Sequence, residues 1–105
     1  MAKYIQRGEI IDYLNGTDAA IEAGAVVSLA TRIGIAAEPI AAGETGAVHV
    51  TGVFEIEKKA EALTVGAAVY YSADGITATA SGNTPAGWVV AAAAADDATA
   101  RVKIG

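Results

Sequence analysis

The 105-residue sequence has no cysteine, a single histidine and few basic residues. Without cysteine, neither disulfides nor thiolate metal sites can supply the stability that so short a chain lacks. With His49 alone, a site built on two histidines is excluded, and so is a histidine relay. Seven basic and twelve acidic residues give a net charge of −5, which repels nucleic-acid phosphates. We therefore expect no nucleic-acid partner.

Long apolar segments are missing as well. The longest uncharged run, residues 75–95, is interrupted in its first half by Thr, Ser, Asn, Gly and Pro, which is not the pattern of a membrane helix. The chain does not open with a basic segment followed by an apolar one, as a signal peptide would. We expect neither a membrane partner nor export by a signal peptide.

The apolar residues that are present favour strands. Ten valines and ten isoleucines stand beside three leucines, and branching at Cβ suits a pleated sheet better than a helix. Twelve glycines lie mostly in turn-like contexts. We predict one all-β domain over residues 1–105, a small barrel or sandwich of about eight short strands. Residues 1–8 form either an extended N-terminal arm or, over residues 3–7, an edge strand.

Local patterns place several of these strands. Alternation over residues 47–56 predicts one continuous strand. Asp74–Gly75, between strand-like residues 67–73 and 76–80, predicts a tight hairpin, and residues 82–87 predict a bend. Further strands are predicted at residues 25–30, 32–37, 88–92 and 99–104. The charged residues 55–66 form either a short helix or a solvated loop, and the loop is favoured because so short a helix needs tertiary support.

The sequence contains two pairs of similar segments. "IEAGAVVSL" at residues 21–29 matches "LTVGAAVYY" at 63–71, and residues 33–50 resemble 86–104 as strand, Ala-rich turn with an acid, and strand. Chance similarity in a chain rich in Ala, Gly and Val is the alternative. A true repeat predicts two similar β lobes packed together.

Patterns for phosphate binding or catalysis are absent. No Gly-Lys pair exists to form a phosphate-binding loop, and no window has the G-x-G-x-x-G spacing of a dinucleotide site. His49 alternates with Val48 and Val50, so a surface or interface position is more plausible than a lone general base. The paired acids at 55/57 and 96/97 are read as solvated charges. We expect no catalytic residue, cofactor or metal.

The candidate interface comes from the aromatic residues and the N-terminus. Consecutive tyrosines on a strand point to opposite faces, so one can face a partner, and tyrosine and tryptophan suit interfaces. The first basic residues precede the first acid of an otherwise acidic chain, which favours pairing with an acidic surface. The candidate residues are Lys3, Tyr4, Arg7, Tyr70, Tyr71 and Trp88.

Two long segments together resemble a known family. They are "IAAGETGAVHVTGVFEIEK" (40–58) and "LTVGAAVYYSADGITATASGNTPAGWVVAAAAADDATARVKI" (63–104). The combination of Ala-Ala-Gly-Glu, Gly-Val-Phe, Val-Tyr-Tyr before Asp-Gly, and Gly-Asn-Thr is similar to the small head-decoration or capsid-cement proteins of tailed phages. Genomes often label these proteins RecA/RadA-like recombinases. The similarity runs from about Tyr4 to Ile104.

The resemblance implies a non-enzymatic β-rich protein that binds the major capsid protein on the outside of the capsid and stabilises it. It implies a symmetric homo-oligomer, with a trimer favoured over a dimer, located in the host cytoplasm during assembly and then on the virion exterior. Two alternatives from other classes stay open. One is a small nucleotide-binding recombination factor, and the other is a β module that binds carbohydrate or a host surface.

Overall fold

The computed structural model describes residues 2–3 and 8–105, and all its regular elements within those residues are strands. The nine strands are β1 (Ile10–Leu14), β2 (Val26–Ser28), β3 (Ile33–Ala36), β4 (Thr45–His49), β5 (Gly52–Glu57), β6 (Ala68–Ser72), β7 (Gly75–Thr77), β8 (Thr84–Val89) and β9 (Thr99–Ile104). The predicted all-β class is confirmed. Of residues 55–66, for which a loop was favoured over a helix, residues 58–66 form a loop. The loop prediction is wrong for residues 55–57, which belong to β5.

The strands form two antiparallel sheets. The first sheet has the order β1-β4-β3-β2, and the second has the order β5-β9-β8-β6-β7. Among the described residues neither sheet closes into a barrel, so of the two predicted architectures the sandwich fits and the barrel does not. We call residues 10–50, which hold β1 to β4, lobe 1. Residues 52–105, which hold β5 to β9, are lobe 2.

The two lobes have the same strand register. Ile10 lies opposite His49 where β1 pairs with β4, and Val53 lies opposite Lys103 where β5 pairs with β9. The next four residue pairs along each ladder correspond one by one: Ile11–Val48 with Phe54–Val102, Asp12–Ala47 with Glu55–Arg101, Tyr13–Gly46 with Ile56–Ala100, and Leu14–Thr45 with Glu57–Thr99. The repeat seen in the sequence is therefore a repeat of structure.

The loops repeat as well. Ile21 and Ile40 form an isolated bridge in lobe 1, and Leu63 and Ala93 form the equivalent bridge in lobe 2. Both bridges have two reciprocal backbone hydrogen bonds of 2.8–2.9 Å. In each lobe, the bridge joins the Ala-rich turn to the segment that precedes the second strand, which is β2 in lobe 1 and β6 in lobe 2. The similarity thus extends beyond the strands to the segments that cover them.

Lobe 2 contains one strand that lobe 1 lacks. β7 pairs with β6, and one parallel bridge joins Ile76 of β7 to Lys58, just after β5. In lobe 1 the residues 29–32 join β2 directly to β3, with Ala30 at φ 72°. This inserted hairpin lies between residues 63–71 and 86–104. It explains why the second pair of similar segments is further apart in the sequence than the first pair.

The predicted continuous strand at 47–56 is wrong. β4 ends at His49 and belongs to the first sheet, whereas β5 begins at Gly52 in the second. Gly52 has φ 127°, a conformation that residues with a Cβ rarely adopt. Val50 and Thr51 therefore carry the chain from lobe 1 to lobe 2, and the alternating pattern continues across the break.

The predicted hairpin forms, but its centre is shifted by one residue. Ala73 and Asp74 form the turn, and Gly75 is the first residue of β7, with φ 108°. The bend predicted over 82–87 is wrong in part, because β8 already begins at Thr84. Pro85 is accommodated there by a register shift between β6 and β8, since proline cannot donate to a regular ladder.

The hydrophobic side chains form two clusters. The first belongs to lobe 1 alone and contains Val27, Ala36, Ile40 and Val48. The second fills lobe 2, but Ile33 and Ile35 of lobe 1 are part of it. The contact between the lobes therefore lies inside the core of lobe 2, and lobe 1 completes that core.

An equivalent pair of glycines, one in each lobe, lies where two strands approach closely. A Cβ on Gly34 would overlap Val48 Cγ1 and lie 3.0 Å from the backbone oxygen of His49. A Cβ on Gly87, the equivalent position, would overlap the backbone oxygen of Lys103, and Gly87 also has φ 145°. Any side chain at Gly87 would displace the backbone of β9.

Candidate interaction surfaces

The outer face of lobe 2 carries a row of apolar side chains. Val53, Lys103, Trp88 and Ala68 lie side by side across β5, β9, β8 and β6. Val53 is 56% exposed and Trp88 is 43% exposed, while the flexible stem of Lys103 lies between them and can itself cover apolar area. We call these four residues the outer row.

The equivalent row of lobe 1 is covered in part. It consists of Ile10, His49, Ile35 and Val26, in the same register. Ile35 is only 5% exposed and packs with Val26 in the core of lobe 2, whereas Ile10 at the end of the row is 41% exposed. The β2 and β3 part of this row is therefore an inter-lobe contact in lobe 1, while the equivalent residues of lobe 2, Ala68 and Trp88, are exposed. An exposed tryptophan at such a position is typical of an interaction surface.

The structure describes four of the six predicted interface residues. Trp88 lies in the outer row, whereas Tyr71 packs against the core of lobe 2. Tyr70 is half-buried, and Lys3 is exposed. Tyr4 and Arg7 lie outside the described residues. Val53 and Lys103 were missed in the sequence because cross-strand neighbours become visible only once the register is known.

A second candidate surface lies on lobe 1, along the edge of β2. A groove of about 540 Å³ runs beside this strand. Its lining is Tyr13, Thr17, Ala20, Ile21, Glu22, Ala25, Val26, Val27 and Ser28. Glu22 is the charged group of this lining and is exposed. We call it the β2 groove.

The backbone of β2 faces this groove at two residues. Leu29 N–H donates to Arg32 O (2.7 Å), and Ala36 N–H donates to Ala25 O (3.0 Å). Because hydrogen-bonded and non-hydrogen-bonded pairs alternate along an antiparallel ladder, Val27 bonds to β3, while Val26 and Ser28 turn their N–H and C=O groups outward. Within the described part of the chain, no strand pairs with this edge of β2.

The ionisable groups near these surfaces have structural roles. His49 packs its ring 5.7 Å from that of Phe54. Glu55 accepts a hydrogen bond from Thr99 Oγ1 (2.9 Å), and Asp97 accepts one from the Ala94 N–H (2.8 Å). Among residues 2–3 and 8–105, no three His, Asp or Glu side chains are grouped closely enough to hold a metal ion.

Two buried polar side chains hold the loops that follow β1 and β5. Asn15, 0% exposed, donates to the backbone oxygens of Ala19 (2.8 Å) and Ile40 (3.0 Å). Lys58, 7% exposed, donates through Nζ to the backbone oxygens of Lys59, Glu61 and Ala95 at 3.0, 2.8 and 3.4 Å. Neither role could be read from the sequence, where Lys58 belonged to a charged segment predicted as a short helix or a solvated loop.

Glu61 fixes the base of the inserted hairpin. Its Oε1 accepts hydrogen bonds from Ala78 N–H (2.6 Å) and Thr77 Oγ1 (3.0 Å). The Ala78 N–H lowers the pKa of Glu61 below its ordinary value of 4.5, partly offset by desolvation; the Thr77 hydroxyl and the nearby Lys59 and Lys58 lower it further. This carboxylate is occupied by its own loop and is no candidate for proton transfer.

Both candidate surfaces are suited to binding another protein. The search for membrane-spanning helices found none among the residues described. The sequence matches the family model for the phage cement protein over residues 5–104. Comparisons with curated proteins and with solved structures gave no match. Since the match covers nearly the whole chain and agrees with the resemblance in the sequence, the chain belongs to the phage cement proteins, a family of structural capsid proteins.

Proposed function

We propose that this protein binds the outer surface of a phage capsid, contacts the major capsid protein there and stabilises the particle. The observation that carries this proposal is the family match over residues 5–104. The protein acts by adding contact area, with no chemical step. It is present in the host cytoplasm during assembly and on the exterior of the finished virion.

The shape and charge of the chain support this role. A particle under internal pressure is reinforced by weak contacts repeated many times, so its reinforcing protein needs exposed surfaces and symmetry more than a deep cleft. The outer row and the β2 groove are two such surfaces on different lobes. The net charge of −5 also opposes binding to the packaged genome.

The outer row joins copies of the protein into a homo-oligomer, a trimer in preference to a dimer. In lobe 1 the equivalent of Trp88, Ile35, is buried in the core of lobe 2 within one chain. Within one chain the outer row of lobe 2 has no such cover, and a second copy supplies it. Trp88 then becomes the central anchor of this contact, with Val53 and Lys103 beside it.

A carbohydrate-binding module would require Tyr70, Tyr71 and Trp88 to lie together and exposed. Tyr71 packs against the core of lobe 2, so these three residues do not form an aromatic platform. The geometry therefore gives no support to that alternative.

The test uses expanded capsids of the parent phage assembled without this protein. We expect the purified protein to bind them saturably, in proportion to the number of capsid subunits, and to raise the temperature at which they disrupt. Binding is measured by co-sedimentation, and disruption by release of packaged DNA with heating. A purified protein that leaves expanded capsids unbound would overturn the proposal.

A further inference from the structure

We propose that the open edge of β2 accepts an extended segment of the capsid protein as an additional antiparallel strand, with the segment lying in the β2 groove. This inference rests on the proposed function and names the site on lobe 1 at which it is carried out. It follows from a difference between two lobes that otherwise share one strand register.

Lobe 2 shows what occupies this edge when a strand is available. β6 is the equivalent of β2, and its outer edge pairs with β7 through Tyr70–Thr77, Tyr71–Ile76 and Ser72–Gly75. Lobe 1 has no counterpart of β7, because residues 29–32 connect β2 to β3 directly. The edge that the chain itself fills in lobe 2 is left open in lobe 1.

The open edge offers directed hydrogen-bonding groups. Val26 and Ser28 each turn one N–H and one C=O away from β3, as argued from the bonds at both ends of this ladder. Ser28 is the equivalent of Tyr70, whose residue pair on the outer side is Thr77. An added strand would bond to Ser28 as β7 pairs with Tyr70, and it would extend beyond the length of β7 to bond to Val26, the equivalent of Ala68. This is the strand-addition mode of peptide recognition.

The groove beside the edge sets the chemistry of the segment. Tyr13, Ile21 and Val27 supply an apolar floor, which fits alternate apolar side chains of an extended peptide. Exposed Glu22 lines the same groove, so a basic side chain of the segment would be favoured next to it. The partner is therefore an extended segment with alternating apolar residues and at least one Lys or Arg.

Charge argues against a second copy pairing by its own β2 edge. Two β2 edges joined side by side would bring two copies of Glu22 together, and Asp18 is exposed in the loop that contributes Thr17 to the groove. Like charges facing each other across such a contact are unfavourable. A capsid segment with a basic residue avoids this repulsion.

The experiment compares Val26→Pro with Val26→Ala. Proline removes the outward N–H of Val26 and leaves the bonds of Val27 to β3 in place, because the two residues point to opposite sides of β2. Alanine trims the same side chain and keeps the N–H. Because V26A reports the loss of the side chain alone, we expect V26P to bind expanded parent capsids about tenfold or more weakly than V26A does.

A charge variant and hydrogen exchange give independent readings that do not depend on the folding of V26P. Glu22→Lys should weaken capsid binding, whereas Asp74→Lys, the same change on the exposed turn of lobe 2, should not. On wild-type protein bound to capsids, the amides of Val26 and Ser28 should exchange more slowly than in the free protein. The amide of Val27, already bonded to Gly34, should change little.

The outcomes separate the two proposals. If the wild type binds capsids and V26P binds as tightly as V26A, or if the Val26 and Ser28 amides gain no protection, the strand addition is wrong and the capsid role stands. If the wild type binds no capsid, the proposed function itself is wrong. If V26P dissociates the free oligomer, measured by analytical ultracentrifugation, the edge is occupied by a second copy, and the inference is overturned.

Discussion

Lobe 1 and lobe 2 have the same strand register but expose different parts of it. Ile35 and Trp88 occupy equivalent positions, opposite His49 and Lys103, yet Ile35 is buried and Trp88 is exposed. Conversely, the outer edge of β6 pairs with β7, while the equivalent edge of β2 is open. Each lobe thus covers the surface that the other leaves exposed. The role of each of these positions is set by what packs on it, since the strand pairing at Ile35 and Trp88 is the same in both lobes.

The largest expected effect on stability comes from replacing the two equivalent glycines, Gly34 and Gly87, by alanine. Gly87→Ala should destabilise the protein by about 4 kcal/mol or more, because its Cβ would overlap the backbone of Lys103 at a positive φ. Gly34→Ala should cost less, about 1–3 kcal/mol, because its Cβ would overlap a side-chain methyl group of Val48 instead of the backbone and Gly34 has no positive φ. Urea unfolding followed by circular dichroism measures both. Equal losses would show that the two strand crossings are under the same constraint.

Alanine substitutions at the equivalent residues Ile35 and Trp88 should change stability less than the Gly87 substitution does. Ile35→Ala should lower the free energy of unfolding by about 2–5 kcal/mol, because it leaves a cavity in the core of lobe 2. Trp88→Ala should cost the monomer about 1 kcal/mol or less and weaken association between copies by about tenfold or more. Urea unfolding measures the first quantity, and sedimentation at several concentrations measures the second.

Val65→Ala is the matched control for Trp88→Ala. Val65 is also exposed and also in lobe 2, but it lies in a turn outside the outer row. It should leave association unchanged. If V65A and W88A weaken association equally, or if neither does, the outer row is not the contact between copies.

The smallest expected effect concerns the carboxylate that holds the inserted hairpin of lobe 2. Because the folded-state pKa of Glu61 is lowered, chiefly by the Ala78 N–H, its contribution to stability is complete above the ordinary pKa of 4.5 and is lost as the pH falls through the lowered value. Glu61→Gln should therefore be less stable than wild type near neutral pH, with the difference narrowing in acid. Urea unfolding from pH 2.5 to 7 measures this difference.

Thr77→Val is the control for the origin of this pH dependence. It removes the hydroxyl donor and keeps the Ala78 N–H. The acid dependence should then persist in T77V with reduced size. A profile for T77V that coincides with that of E61Q would assign the effect to Thr77 instead of the backbone.

The sequence was sufficient for the fold class and for the repeat. The excess of Val and Ile over Leu predicted strands, and the matching segments 21–29 and 63–71 align on equivalent strands of the two lobes. The break between β4 and β5 was not predictable from alternation, because residues on both sides of Val50 keep the same apolar period. Only the positive φ of Gly52 redirects the chain, and twelve glycines offered many places for such a change.

The candidate surfaces were less accessible to sequence reasoning. Trp88 was identified because tryptophan suits interfaces, but its neighbours Val53 and Lys103 come from other strands, and their proximity is visible only in the sheet. The open edge of β2 could not be predicted, since it depends on a strand that lobe 1 lacks. Tyr70 and Tyr71 were correctly assigned to opposite faces by the period of a strand. Whether the six predicted interface residues contact a partner stays a prediction.

The two hydrophobic clusters have a consequence for biosynthesis. Residues of lobe 1 build one cluster by themselves, whereas the cluster of lobe 2 includes Ile33 and Ile35. Lobe 1 is synthesised first. Ile33 and Ile35, which the core of lobe 2 needs, are therefore already present when β5 to β9 leave the ribosome. In a circular permutant that is synthesised in the opposite order, the apolar interior of lobe 2 would stay incomplete until Ile33 and Ile35 were synthesised.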